Sequence, residues 1–120
     1  RSIIRKINYK VMDIKPELFI TLQLLIAFAL GAFIGIERER HLSAAGIRTY
    51  AMVCLGAALF TVIGIHSVDT TAGARIAANI VTGIGFLGAG IIYKDNTKGI
   101  TQGLTTASSI WATAAIGVAV

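Results

Sequence analysis

The chain has 120 residues, 55% of them hydrophobic and only 14% charged, with a net charge of +5. A soluble domain carries about a quarter charged residues and less than half apolar ones, and a disordered chain is far more polar still, so both classes are excluded. Thirteen Gly without a triplet period and a single Pro exclude collagen and low-complexity linkers; one Cys excludes an internal disulfide framework or a Cys-based zinc finger. At this length there is no room for the deep core of a large enzyme. A membrane protein is the class that is left.

The chain opens on a basic segment, residues 1–17, with five Lys/Arg and the acids Asp13 and Glu17. Ile3, Ile4, Ile7, Val11 and Ile14 recur in it at helical spacing. That pattern predicts a basic amphipathic helix lying on anionic lipid. Without this tail the loops carry a net charge of only +2, which removes the nucleic-acid reading that a basic chain first suggests.

Every formal charge then falls outside four uncharged runs, Leu18–Ile36, Thr49–Ile65, Ile76–Tyr93 and Gly99–Val120. The runs are 19, 17, 18 and 22 residues long, close to the roughly 17–25 that a bilayer span needs. A charge at mid-bilayer costs about 2.5–3.5 kcal/mol, so four charge-free windows in succession predict four spans, near 18–36, 49–65, 76–93 and 103–120. None shows barrel-type alternation, so the expected fold is all-α, a polytopic membrane helix bundle over residues 18–120. The first run is followed by Glu37-Arg38-Glu39-Arg40 where a signal peptide would carry small residues, which reads as a retained span. Pro16 and Glu17 suit its first turn.

Orientation stays open on charge. The tail and the 66–75 loop hold six Lys/Arg against five in the 37–48 and 94–98 loops. Without the tail the count is one against five, which places the 37–48 and 94–98 loops in the cytoplasm. The amphipathic tail argues for a cytoplasmic N-terminus instead.

Small and polar residues inside the spans are the candidates for function. Gly31 and Gly35 form a GxxxG in span 1, which lets a neighbouring backbone approach, in the same chain or in another copy. Span 3 carries Gly83, Gly85, Gly88 and Gly90. The first three match GxGxxG, but the strand, helix start and distal acid of a dinucleotide site are missing. Helix packing and a weakened helix lining a cavity both fit this segment. In span 4, Thr106, Ser109 and Thr113 share a helical face, either as a hydroxyl seam or as a polar path. Trp111 and Asn79 need acceptors inside the protein and are expected to face other helices.

At the membrane edge, Glu37 ends span 1 at the negative end of its dipole, and a short loop would allow a pair with Arg48. Arg38 lies beside it. Asp69 and Arg75 cluster at the other face, where Asp69 or Thr71 can cap helix 3. These residues fit an interfacial loop or a buried ion-pair network. His41 and His66 sit too far apart to share a metal, and no nucleophile, P-loop or HExxH motif occurs. No enzyme activity, metal or cofactor is expected. The spans hold no carboxylate for Mg²⁺, which lowers the case for a conducting path.

Leu30-Gly-Ala-Phe-Ile-Gly-Ile-Glu-Arg-Glu39, Ala45-Gly-Ile-Arg-Thr49, Cys54-Leu-Gly-Ala-Ala-Leu-Phe60, Arg75-Ile-Ala-Ala78, Gly83-Ile-Gly-Phe-Leu-Gly-Ala-Gly90 and the stretch Gly103–Gly117 occur in this order. Together they resemble the N-terminal membrane domain of the MgtC/SapB family. The resemblance implies a multi-pass bacterial inner (plasma) membrane protein, N-terminus outside and the 37–48 loop in the cytoplasm. It also implies a fifth span beyond Val120. It implies adaptation to low magnesium through regulation of other membrane machinery, such as a magnesium-transporting ATPase or ATP synthase. The family commonly has Gln where Asn79 stands. The expectation is an accessory protein that binds membrane lipids and protein partners, forms a homo-oligomer (dimer), and binds no nucleic acid. The alternative is a Mg²⁺ or other cation transporter or channel subunit, its path lined by span 3 glycines and the span 4 Thr/Ser face.

Overall fold

The computed structural model describes Ile3 and residues 15–120; all but these few residues of the expected basic segment 1–17 lie outside the described part. The described chain runs α1 (Pro16–Arg40), α2 (Ile47–Ile65), α3 (Ala72–Ile91), a hairpin of β1 (Tyr93–Asp95) and β2 (Ile100–Gln102), then α4 (Leu104–Ala119). Among the described residues, α1, α2 and α3 are long and apolar enough to cross a membrane.

α1 overruns its uncharged run at both ends, and α2 and α3 start before theirs, because a membrane helix need not stop where its charges begin. Pro16 occupies the first turn of α1 with Glu17, where neither the missing N–H nor the negative charge is a cost. At its other end Arg38 and Arg40 fall in the last turn and complement the dipole. The chain leaves α1 through a Schellman turn. Leu42 N–H donates to the Glu39 carbonyl at 3.1 Å and Ser43 N–H to the Arg38 carbonyl at 3.2 Å. The left-handed residue of that turn is Leu42, at φ +51°, where glycine is usual.

The all-α expectation needs correction between α3 and α4. The uncharged stretches ending at Tyr93 and beginning at Gly99 supply an antiparallel hairpin, with Tyr93 opposite Gln102 and Asp95 opposite Ile100. Asp95 closes the turn: its carboxylate accepts from the Thr97 N–H at 3.0 Å and its carbonyl from the Gly99 N–H at 2.8 Å. Gly99 has φ +65°. Gly103 follows at φ +89°, and a Cβ there would run into the Ile91 carbonyl, so glycine is required twice over. The last helix is therefore only 16 residues long.

Packing centres on α2, which lies against α1 along its length and also meets α4 and α3. Its buried side is built from Tyr50, Ala51, Cys54, Ala57, Ala58 and Gly64. Facing it are Ala27, Gly31 and Gly35 of α1 and Thr106, Ile110, Thr113 and Gly117 of α4. Small side chains bring backbones together, and dispersion over the close surfaces holds them. By contrast, Gly88 is the one buried residue of α3, which stands at the edge of the bundle.

Candidate functional site

The GxxxG of α1 meets α2 of the same chain. A Cβ on Gly31 would collide with the Tyr50 carbonyl and lie 2.7 Å from Cys54 Cβ; one on Gly35 would lie 2.5 Å from Ile47 Cα. Gly117 of α4, which the sequence did not single out, approaches from the other side, where a Cβ would strike the Cys54 carbonyl. Cys54 is thus held between two glycine contacts and is fully buried.

Around this seam, at the end where α1 finishes and α2 and α4 begin, four polar side chains converge. The Arg38 guanidinium donates through Nη2 to Thr106 Oγ1 at 3.1 Å. Thr106 is buried. Its carbonyl accepts the Ser109 hydroxyl at 2.9 Å. The hydroxyl of the fully buried Tyr50 reaches Ser109 Oγ and, at 3.4 Å, the same carbonyl. With Ser109 donating to the carbonyl, the Tyr50 proton is left for the Ser109 lone pair. One turn deeper Thr113 bonds back to the Ser109 carbonyl at 2.7 Å. The network ties three helices together and leaves Arg38 Nε buried with no acceptor among the described residues.

Arg38, Thr106 and Ser109 are thus brought together, and Tyr50 is the member that sequence reasoning missed. Its signal was available: a phenol at the second position of an apolar run, once buried, needs a partner, as an indole does.

Other expectations are corrected. Glu37 does not reach Arg48; α1 continues to Arg40, so Glu37 and His41 lie one turn apart and pair at 3.1 Å on the exposed surface. Trp111 does not face other helices: it is 56% exposed. The inward face of α4 runs through Thr106, Ile110, Thr113 and Gly117, and Trp111, one residue past Ile110, is rotated off it by about 100°. Asn79 is likewise exposed. Asp69 accepts the Thr71 N–H at 2.9 Å and the Thr71 hydroxyl at 2.8 Å just before α3. No ion pair joins it to Arg75 among the described residues. The Thr71 N–H first, and its hydroxyl second, hold the Asp69 carboxyl below its ordinary value.

The glycines of α3 divide. Gly88 lies at ordinary contact, 3.7 Å, from Ala107 of α4. Gly83, Gly85 and Gly90 have no neighbour within 4 Å of an added Cβ. Gly83 instead lines a groove of about 930 Å³ between α2 and α3, together with Arg48, Phe60, Asn79 and Leu87. The α4 hydroxyls turn into the network with α1 and α2, so the two halves of the alternative cation path face different spaces. Among the described residues, no three His, Cys, Asp or Glu gather as a metal site.

Three long apolar helices, with glycine seams where soluble proteins place large side chains, define a helical membrane protein. Residues 24–120 match the MgtC family, and the chain belongs to it. It is 47% identical over 92 residues to the protein MgtC of Brucella abortus, an alignment covering 77% of this chain and 38% of that protein. With the protein MgtC of Salmonella typhimurium it shares 47% identity over 97 residues, 81% of this chain and 41% of that one. An uncharacterized protein of Synechocystis sp. is 44% identical over 97 residues, 80% and 40% of the two chains. The chain thus spans about two fifths of the length of these curated relatives. No solved structure matches.

Proposed function

We propose that this chain is the membrane part of an accessory protein of the bacterial inner membrane, tied to magnesium homeostasis and acting by binding other membrane proteins rather than by catalysis. In this reading α4 is the fourth span. At 16 residues it is about 24 Å long, and the hairpin makes up the remaining depth at one interface.

The observation that carries the reading is the outer face of α3. Ala78, Thr82, Gly85 and Ala89 recur at i, i+4, i+7 and i+11, and all four are exposed. A stripe of small residues along one face is what a second membrane helix needs for close approach. That helix belongs to a partner such as a magnesium-transporting ATPase or ATP synthase, or to a second copy of the chain.

The test is photocrosslinking from α3 in native membranes grown in low magnesium. Gly85→Leu should abolish the crosslinked species, while Gly56→Leu, on another helix, should not. Mg²⁺ flux through liposomes containing this chain alone would overturn the proposal in favour of transport.

A further inference from the structure

The groove between α2 and α3 lies on the opposite face of α3 from its small-residue stripe. We propose that it is a binding site for one anionic phospholipid, drawn from the leaflet that meets the α1–α2 loop.

Arg48 stands at the mouth of the groove, in the first turn of α2 and directly before the uncharged run that opens at Thr49. It is exposed, and no carboxylate pairs with it among the described residues. Thr49 beside it adds a hydroxyl donor. This end of the bundle carries Arg38, Arg40, Arg48, Lys94 and Lys98 against Glu37, Glu39 and Asp95, so its field also favours an anion.

Below the mouth the lining turns apolar, through Met52, Phe60, Ile80 and Leu87. From Arg48 to Phe60 the groove descends about 18 Å at 1.5 Å per residue, close to the ~15 Å depth of one leaflet's hydrocarbon. Asn79 is the one polar side chain that α3 contributes to the lining, one turn before Ile76 at the far end. A charge at the interface above an apolar trough one leaflet deep complements an anionic headgroup with its acyl chains.

The walls favour a lipid over a protein helix. Close docking of a membrane helix is favoured by a run of small residues along the line of contact. Here Gly56 and Gly83 open only the middle of the trough, and large flexible side chains flank them. Flexible acyl chains conform to such side chains more readily than a rigid helix about 10 Å wide.

The test uses purified chain in detergent. Binding of phosphatidylglycerol and phosphatidylcholine with identical acyl chains is read by native mass spectrometry, with soluble glycerol phosphate as a headgroup-only arm. Wild type should prefer phosphatidylglycerol by about fivefold, the factor that the attraction of one Arg near a membrane surface sets. Arg48→Gln should bring that ratio to about one, while Arg40→Gln, outside the groove, should leave it largely unchanged. Gly83→Leu should remove binding of both lipids while the protein still elutes as the folded species. The inference is overturned by equal binding of the two lipids to wild type, by Arg40→Gln acting as strongly as Arg48→Gln, or by Gly83→Leu binding normally. It is also overturned by saturable binding of glycerol phosphate alone, which would make this a phosphate site. Disulfide trapping between copies through Phe60→Cys would assign the groove to a second copy of the chain.

Discussion

Arg38 and Thr106 stand 68 residues apart in the chain, yet the guanidinium of one donates to the hydroxyl of the other at 3.1 Å. The bond crosses from the end of α1 to the start of α4 and rests on Tyr50 of α2 through the Thr106 carbonyl and Ser109. A charged donor in a half-buried place is costly to orphan, more so than a neutral acceptor.

The two ends of that bond should therefore respond unequally. Thr106→Val deletes the acceptor and leaves a guanidinium whose Nε is already unpartnered; it should destabilise the bundle by about 1–3 kcal/mol. Arg38→Met removes the charge and keeps the apolar stem, and should cost about 1 kcal/mol or less. Unfolding in mixed micelles, with the double variant completing the cycle, checks the order. An Arg38 variant costlier than the Thr106 one would sink this account.

Glycine substitutions should separate into two groups. Gly31→Ala and Gly117→Ala push a methyl into the α2 backbone on either side of Cys54. Overpacking of this kind costs about 1–3 kcal/mol and should show as a lower unfolding midpoint. Gly85→Ala and Gly90→Ala meet open space and should change stability little, or raise it slightly through helix propensity.

Leu42 offers a gain. It holds the left-handed position of the Schellman turn after α1 and is almost fully exposed, so no packing offsets its backbone cost. Leu42→Gly should stabilise the chain by about 1 kcal/mol, the usual penalty for a side chain in that conformation. An unchanged midpoint would argue against it.

The hairpin turn should be acid-sensitive. The Thr97 hydroxyl first, and its N–H second, hold the Asp95 carboxyl below its ordinary value. A depressed carboxyl contributes order to the turn at neutral pH, and that contribution is lost as pH falls from the ordinary carboxylate range, about 3.9, through the lowered folded value. NMR titration of the Asp95 carboxyl should report a midpoint below that of a model peptide. Thr97→Val removes the hydroxyl, retains the N–H, and should move the midpoint upward.

How far the sequence carried can be seen at particular residues. Three long apolar helices were legible because excluding charge from hydrocarbon leaves a mark in each of their runs, and Gly31 and Gly35 were legible because one turn separates them. The end of α1 was not, since Glu37 to Arg40 can continue a helix as readily as leave it, and one further turn sends Glu37 to His41 rather than Arg48. The hairpin was hidden because Ile100 and Gln102 carry no charge and merge with the following span; Asp95-Asn96-Thr97-Lys98-Gly99 was its only signal. Arg38, Thr106 and Ser109 each stood out alone, but no spacing rule links residues 68 apart. Trp111 shows the limit of arguing from one polar atom: the buried face of α4 runs through Thr106, Ile110, Thr113 and Gly117, and the helical phase set by those residues turns Trp111 outward whatever its indole N–H requires.

Among the described residues, the largest fully enclosed side chains are Tyr50, Ile110, Thr113 and Cys54, while Phe33 and Phe86 point outward at 76% and 82% exposure. Size and position are thus reversed relative to a water-soluble domain, and two kinds of information are separated in space. The inner surface fixes which helix touches which, through atoms that cannot be enlarged. Away from the α3 stripe and the α2–α3 groove, the large outward side chains touch lipid rather than helix, so exchange among Leu, Ile, Phe and Val there should leave the frame beneath undisturbed.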